Sequence, residues 1–309
     1  MHPIFEALLS RAKGQPCLRV AVAHPCDAVT MESVAAASKA GLIEPFLVGP
    51  EARIRLAAQE AGIDSVVWPM TQTPHSHASA AAAVSLVREG KVDALMKGSL
   101  HTDELMEAVI DSDCGLRTER RISHCYVMAT KGHAEPLIVT DAAINIAPDL
   151  HDKADIVQNA IDLAHAIGIE EVRVALLSAA ETINPAIQST LDAAALCKMA
   201  DRGQIMGALL DGPLALDNAI NMGAVAQKHI RSNVAGKANV LVVPDLVAGN
   251  ILAKTLSFMA HAEAAGIVVG ARVPIILTSR ADTLESRIVS CAIAVLLAKI
   301  PLLKGVVKG

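Results

Sequence analysis

The residues best suited to chemistry lie in the stretch Pro274–Arg287, PIILTSRADTLESR. An apolar run ending at Leu277 gives way to Ser279, Arg280 and Asp282, and an amphipathic helix follows. A hydroxyl, a guanidinium and a carboxylate therefore crowd one strand-to-helix turn. In an α/β protein such turns lie at the carboxyl edge of the sheet, where ligands bind. Free N–H groups and the positive helix end favour an anion there, and a forked guanidinium suits phosphate. Helix capping is the competing reading. Asp282 with Glu285, and Ser279 with Asp282, both fit a capping box. Capping gives no reason for Arg280.

Other apolar runs end the same way. Lys97 and Gly98 follow Val92–Met96. Asp141 follows Leu137–Val139, with Asn145 shortly after. Asp211 follows Ile205–Leu210. Asp245 follows Asn239–Val243, with Gly249, Asn250 and Lys254 beyond it. Any one of these is more often a cap or a turn residue. Gathered in one crevice, they would make a ligand site.

The elements that must position these groups alternate. Strands are expected at Leu18–Ala23, Leu42–Val48, Ser65–Trp68 and Val92–Met96, with helices at Ala28–Ala40, Glu51–Ala61, Ser76–Arg88 and Leu100–Ile110 between and after them. Ile122–Ala129 and Leu137–Thr140 read as a hairpin pair. The pattern breaks at the turn-rich segment DAAINIAPDL, where a domain crossing is plausible, then resumes to the last helix. Strand–helix alternation with short connections means parallel sheet with crossover helices.

Bulk composition narrows the function classes. With 309 residues, two domains are expected. The chain is 52% hydrophobic but only 2% aromatic, so its core is aliphatic and it offers no platform for stacking single-stranded bases. The net charge of −5 argues against a general nucleic-acid binder. The six cysteines are scattered without a C-x-x-C pair, as in a reduced cytoplasmic protein. No signal peptide or membrane span is expected.

Several sharper motifs fail. There is no G-x-G-x-x-G and no G-x-S-x-G. Gly249–Thr255 lacks two glycines of a phosphate-binding loop. His75 and His77 read as a polar turn rather than a metal site, and no D-x-x-x-D occurs, so no metal is expected. His124, inside ISHCYVMA, reads as a satisfied core histidine.

The runs MKGSLHTDELMEAVI, SHCYVMA, IVTDAAINIAPDL, NAINMGAVAQKHIRSNVAGKANVLVVPDLVAGNILAKT and GIVVGARVPIILTSRADTLESR, in that order, closely resemble the phosphate acetyltransferase/phosphate butyryltransferase family. The resemblance implies reversible acyl transfer, acyl-CoA plus phosphate giving acyl phosphate plus CoA. It implies two three-layer α/β domains with mostly parallel sheets, similar to the isocitrate/isopropylmalate dehydrogenase fold, with the active site in the interdomain cleft. It also implies a homodimer, coenzyme A as substrate and no bound cofactor. On this sequence the first domain is expected over 1–140 and 285–309, the second over 141–284.

The resemblance makes Ser279 and Arg280 catalytic, with Asp282 as the aspartate of the SRAD pattern. It implies substrate binding by Lys97, Gly98, Asp141, Asn145, Asp211, Asp245, Gly249, Asn250 and Lys254. Acetyl-type members carry a base seven residues after the serine, where this chain has Ser286. The base is then Asp282, Glu285, Asp211 or Asp245. Acetyl-type members also place an arginine in the segment matching Leu100–Ile110. This chain has none, so phosphate would rely on Arg280, Lys97 or one of Arg117, Arg120 and Arg121. A non-catalytic regulator binding CoA or acyl phosphate, and an oxidoreductase on the related fold, are the alternatives. The missing paired aspartates argue against the latter.

Overall fold

A computed structural model describes residues 1–63, 67–278 and 282–299. The chain divides into two compact units. Unit 1 comprises residues 3–120 and the chain from Ala265 onward; unit 2 comprises Arg121–Ala264. The divisions thus fall earlier than the expected 140 and 284. Within the second unit, Leu137–Thr140 pairs antiparallel with Ser123–Ala129 and parallel with Val240–Val242.

Unit 1 begins α1 (Pro3–Lys13), β1 (Leu18–Ala23), α2 (Ala28–Lys39), β2 (Ile43–Gly49), α3 (Glu51–Glu60), β3 (Met70–Gln72), α4 (Ser76–Arg88), β4 (Ala94–Lys97) and α5 (Thr102–Ile110). Unit 2 follows with β5 (Ser123–Ala129), β6 (Leu137–Thr140), α6 (Leu150–Ala166), β7 (Arg173–Leu177), α7 (Gln188–Asp201), β8 (Leu209–Leu214), α8 (Leu216–Ile220), α9 (Met222–Gln227), β9 (Val240–Val242) and α10 (Leu246–Met259). The chain then enters β10 (Glu263–Val269), which crosses the boundary at Ala265, and returns to unit 1 with β11 (Ile275–Ile276) and α11 (Leu284–Leu297).

In unit 1 the strand order is β3-β2-β1-β4-β11-β10. All neighbours are parallel except β10 and β11. β1 and β4 are buried almost throughout, as central parallel strands covered by helices must be. α4 packs on β1, β2 and β4, while α11 packs against α1, α2 and β11. Aliphatic and alanine side chains allow this close approach: Ala21, Val22, Ala80, Ala83, Ile293 and Ala294 are all fully buried. The antiparallel β10–β11 turn departs from the alternating pattern; only five residues separate the two strands, too few for a crossover helix.

Unit 2 has the order β5-β6-β9-β7-β8, parallel except for β5 and β6. Met128, Val139, Ala175, Leu214 and Leu241 form one core cluster with Ala219, Val225 and Val234. The expected strand Ile205–Leu210 is displaced to Leu209–Leu214, so Asp211-Gly212-Pro213 lies within a strand instead of ending one. An edge strand tolerates proline, and Gly212 is needed because a Cβ would sit 2.7 Å from Leu176 Cβ. The expected strand Ser65–Trp68 falls partly, at residues 65 and 66, outside the described residues; β3 is Met70–Gln72. Among the described residues no helix is long and apolar enough to cross a membrane.

His124 is fully buried in β5, but neither ring nitrogen has a hydrogen-bond partner among the described residues. The core placement holds; the expected satisfaction does not. Its ring meets Tyr126 edge-on at 4.4 Å, and burial pushes its pKa down to about 3. The unfolded chain therefore takes up a proton below pH 6.5 that the folded chain refuses until about pH 3. Stability from this site is complete above pH 6.5 and is lost as pH falls. Relative to a His124→Leu variant, wild type should lose about 1.4 kcal/mol per pH unit below pH 6. Urea unfolding of both at pH 7, 6 and 5 measures this; parallel pH dependences would remove His124 as the cause.

Candidate active site

In unit 1, β1 and β4 run side by side with Ala23 opposite Lys97. Their exits are interlocked. The N–H of Gly98 donates to Ala23 O at 2.9 Å, and that of Ser99 to His24 O at 2.9 Å. Gly98 has no room for a side chain, since a Cβ would lie 2.4 Å from Ala23 O and 2.6 Å from His24 O. Lys97 is buried, and its ammonium donates to Leu100 O at 3.0 Å and Gly98 O at 3.4 Å.

These turns border a cavity of about 380 Å³ lined by Arg53, Lys97, Gly98, Ser99, Thr278 and Arg287, with Cys26 and Asp27 at the start of α2. Among the described residues that line it, three cations against one carboxylate make it attractive to an anion. Asp27 is already engaged as the α2 N-cap, accepting from Thr30 N at 2.7 Å. The Thr278 hydroxyl is buried without a partner among the described residues. Burial pushes the Cys26 thiol up to about 11, so it is no thiolate nucleophile at neutral pH. A second cavity, of about 320 Å³ between α4 and α5, carries Glu104, Glu107 and Asp111 against Arg88 and His77, and suits an anion poorly. His75 caps α4 there, as a polar turn residue, and no metal-binding cluster occurs among the described residues.

Ser279 and Arg280 lie outside the described residues. Thr278 precedes them and Asp282 follows them. Asp282 is half-buried, and its carbonyl accepts from Arg287 Nε at 3.3 Å. The expected Asp282–Glu285 capping box is not formed: Thr283 is the α11 N-cap and accepts from Ser286 N at 3.2 Å. The helix thus starts one residue later than expected: the threonine hydroxyl takes the Ser286 N–H, one position beyond the Glu285 N–H that an Asp282 cap would use. Glu285 is exposed in that first turn.

Unit 2 gathers most of its candidates around the exit of β6. The Asp141 carboxylate accepts from the N–H groups of Ala143, Ile144 and Asn145 and from Asn145 Nδ2 at 2.6 Å. Burial pushes its pKa up against the pull of these bonds. Asp141 thus shapes the turn from within. Asp245 caps α10 through Ala248 N. Gly249 presses that helix onto the turn, since a Cβ there would meet Asp141 O at 2.8 Å, and Asn250 Nδ2 donates to Ala142 O at 3.3 Å. Lys254 is exposed one turn farther along α10.

Asp211 is not part of this group. It lies inside edge strand β8, separated from β6 by β7 and β9, and bonds the next N–H, Gly212. Arg121 is held by Asn145 Oδ1 at 2.7 Å and faces Asp152 at 3.4 Å. His24, Arg53 and Arg287 escaped sequence reading. HPCD after β1 had the same strand-end form as the others, but Arg53 and Arg287 sit in helices and carry no local signal.

A family profile described as "Phosphate acetyl/butaryl transferase" matches residues 69–295. The chain is 57% identical over 294 residues to a phosphate acetyltransferase of Rhizobium meliloti, covering 95% of this chain and 93% of the relative. It is 41% identical to a phosphate butyryltransferase of Clostridium acetobutylicum, covering 95% and 98%. The crystal structure of a branched-chain phosphotransacylase from Enterococcus faecalis superposes with a TM-score of 0.79 at 31% identity, covering 91% of this chain and 99% of that one. A 4-hydroxythreonine-4-phosphate dehydrogenase from Klebsiella pneumoniae shares the fold at a TM-score of 0.55 and 14% identity, over 92% of this chain and 100% of that one. With the profile matching most of its length and relatives of this identity covered nearly end to end, the chain belongs to the phosphate acetyl/butyryl transferase family.

Proposed function

We propose that this protein reversibly transfers a short acyl group between coenzyme A and inorganic phosphate. The observation that carries the reading is the 57% identity to a phosphate acetyltransferase along almost the whole of both chains. The cation-lined cavity of unit 1 supports it chemically, since phosphate and acyl phosphate are anions. Acetyl is the proposed acyl group, because the match to the butyryltransferase is weaker, at 41%. Six free cysteines fit a cytoplasmic enzyme.

In the proposed mechanism the CoA thiol gives its proton to Asp282, and the thiolate attacks the acyl phosphate carbonyl within a ternary complex. A carbon–sulfur bond forms, and the oxyanion is held by Ser279 or nearby N–H groups. The carbon–oxygen bond to phosphate then breaks, with Arg280 holding the leaving group. The thiol proton passes from Asp282 to phosphate or to water. Lys97 and Gly98 belong to the anion cavity. Asp141, Asn145, Asp245, Gly249 and Asn250 form a shaped turn in unit 2, with Lys254 farther along α10, and are proposed to serve substrate binding through its surface.

A homodimer is also proposed. The outer face of α10 exposes Val247, Ile251, Phe258 and Met259, each by at least 61%. Four large apolar side chains on one helix are unusual for a free surface and suit a second copy. Ile251→Asp combined with Phe258→Asp should convert dimer to monomer in sedimentation equilibrium; an unchanged mass would exclude this face.

The function is tested by thiol release from acetyl-, propionyl- and butyryl-CoA on adding phosphate. Turnover should require phosphate and be highest with acetyl-CoA. No phosphate-dependent release, with CoA still bound, would favour a non-catalytic regulator. Arg280→Ala should lower turnover by about 100-fold or more with the fold intact. Asp282→Asn separates base from structure. Because Thr283 caps α11, the variant should leave the melting temperature unchanged while turnover drops by about 100-fold or more. Full turnover in that variant would remove Asp282 as the base.

A further inference from the structure

His24 lies at the exit of β1 and does not line the anion cavity. Two features nonetheless set it apart. Its backbone is left-handed at φ 56°, a conformation that costs free energy for a residue other than glycine and persists only where surroundings over-determine it. Its imidazole is almost fully buried, with Nδ1 3.0 Å from Ser79 Oγ; that hydroxyl lies 2.8 Å from Thr73 Oγ1 and donates to His75 O at 2.9 Å. The ring is thereby tied to the start of α4.

The left-handed turn aims the His24 carbonyl at the neighbouring exit. It accepts from Cys26 N, from Ser99 N and from Ser99 Oγ, each at 2.9 Å. Ser99 Oγ in turn accepts from Cys26 N at 3.2 Å. The turn so fixed supplies the carbonyls of Gly98 and Leu100 that hold the Lys97 ammonium. We propose that His24 is a positioning residue: its left-handed backbone and buried ring hold the Lys97-Gly98-Ser99 turn so that the Lys97 ammonium meets the phosphate group of the substrate. This rests on the acyl-transfer reading, and it adds a residue that touches no substrate.

The test compares His24→Ala, His24→Asn and His24→Gly in the full chain. Alanine keeps the conformational strain and removes the ring. Asparagine tolerates the left-handed region and can still bond Ser79. Glycine removes the strain as well as the ring, and so supplies a folded variant if alanine fails to fold. His24→Ala, or His24→Gly in its place, should raise the KM for phosphate about 10-fold or more and leave the KM for acyl-CoA within about twofold. His24→Asn should return the phosphate KM to within about threefold of wild type. A purely structural role would instead lower the melting temperature and move both KM values together, or neither; either result overturns the proposal. Calorimetric titration of each variant with inorganic phosphate gives a readout independent of turnover, and its Kd should follow the same order. A wild-type chain that binds phosphate without transferring acyl groups would overturn the functional reading, and the titration would still decide the role of His24.

Discussion

The closest constraint in unit 1 is the contact of Gly98 with the carbonyls of Ala23 and His24, which leaves no space for a Cβ. Two parallel strands exit side by side, and the chain leaving β4 must pass directly over the end of β1. Only a glycine lets the backbone come that near while its N–H donates to Ala23 O. Lys97 is then forced under the turn, buried, with its ammonium held by main-chain oxygens. Unit 2 repeats the device with other residues. Gly249 brings α10 down onto the Asp141 turn, and Gly212 brings β8 onto Leu176. In both units the site-forming turns are thus placed by backbone-to-backbone approach, and side chains are added to a frame already set.

That frame explains why the polar groups divide into two kinds. Asp27, Asp141, Asp245 and Thr283 spend their oxygens on nearby N–H groups and hold turns or helix starts. Arg53, Lys97 and Arg287 converge on the cavity and give it positive charge. Lys97 and Arg287 are buried there, where desolvation makes the partners of a cation count for more. The buried Thr278 hydroxyl has no hydrogen-bond partner among the described residues.

Much of this was legible in the sequence, and the failures have physical causes. β1 and α4 match their expected bounds because alternation and helix spacing are local signals. The strand-end clusters were found by one rule; of the four within the described residues, those at Lys97, Asp141 and Asp245 lie at strand exits or the turns after them, and Ser279-Arg280 lies outside the described residues. Asp211 broke the rule because Asp-Gly-Pro reads as a turn, whereas an edge strand has one unpaired side and tolerates proline. The β10–β11 pairing and the unit boundaries depend on which strands meet across long sequence separations, which no local pattern encodes. Arg53 and Arg287 were invisible for the same reason. Local pattern also could not choose among Ser279, Asp282 and Thr283 as the cap, since all three are good capping residues.

The choice of Thr283 narrows the proposed base by elimination. Asp245 is committed to the N-terminus of α10, and losing its charge would uncap that helix. Asp211 sits within β8, bonded to the next N–H and away from the turns that gather the other groups. Glu285 is exposed on the first turn of α11, where its charge complements the helix dipole. Asp282 alone combines partial burial, no duty as the helix cap and adjacency in sequence to the Ser279-Arg280 pair. Asp282 is therefore the proposed base, beside a helix cap that Thr283 already supplies.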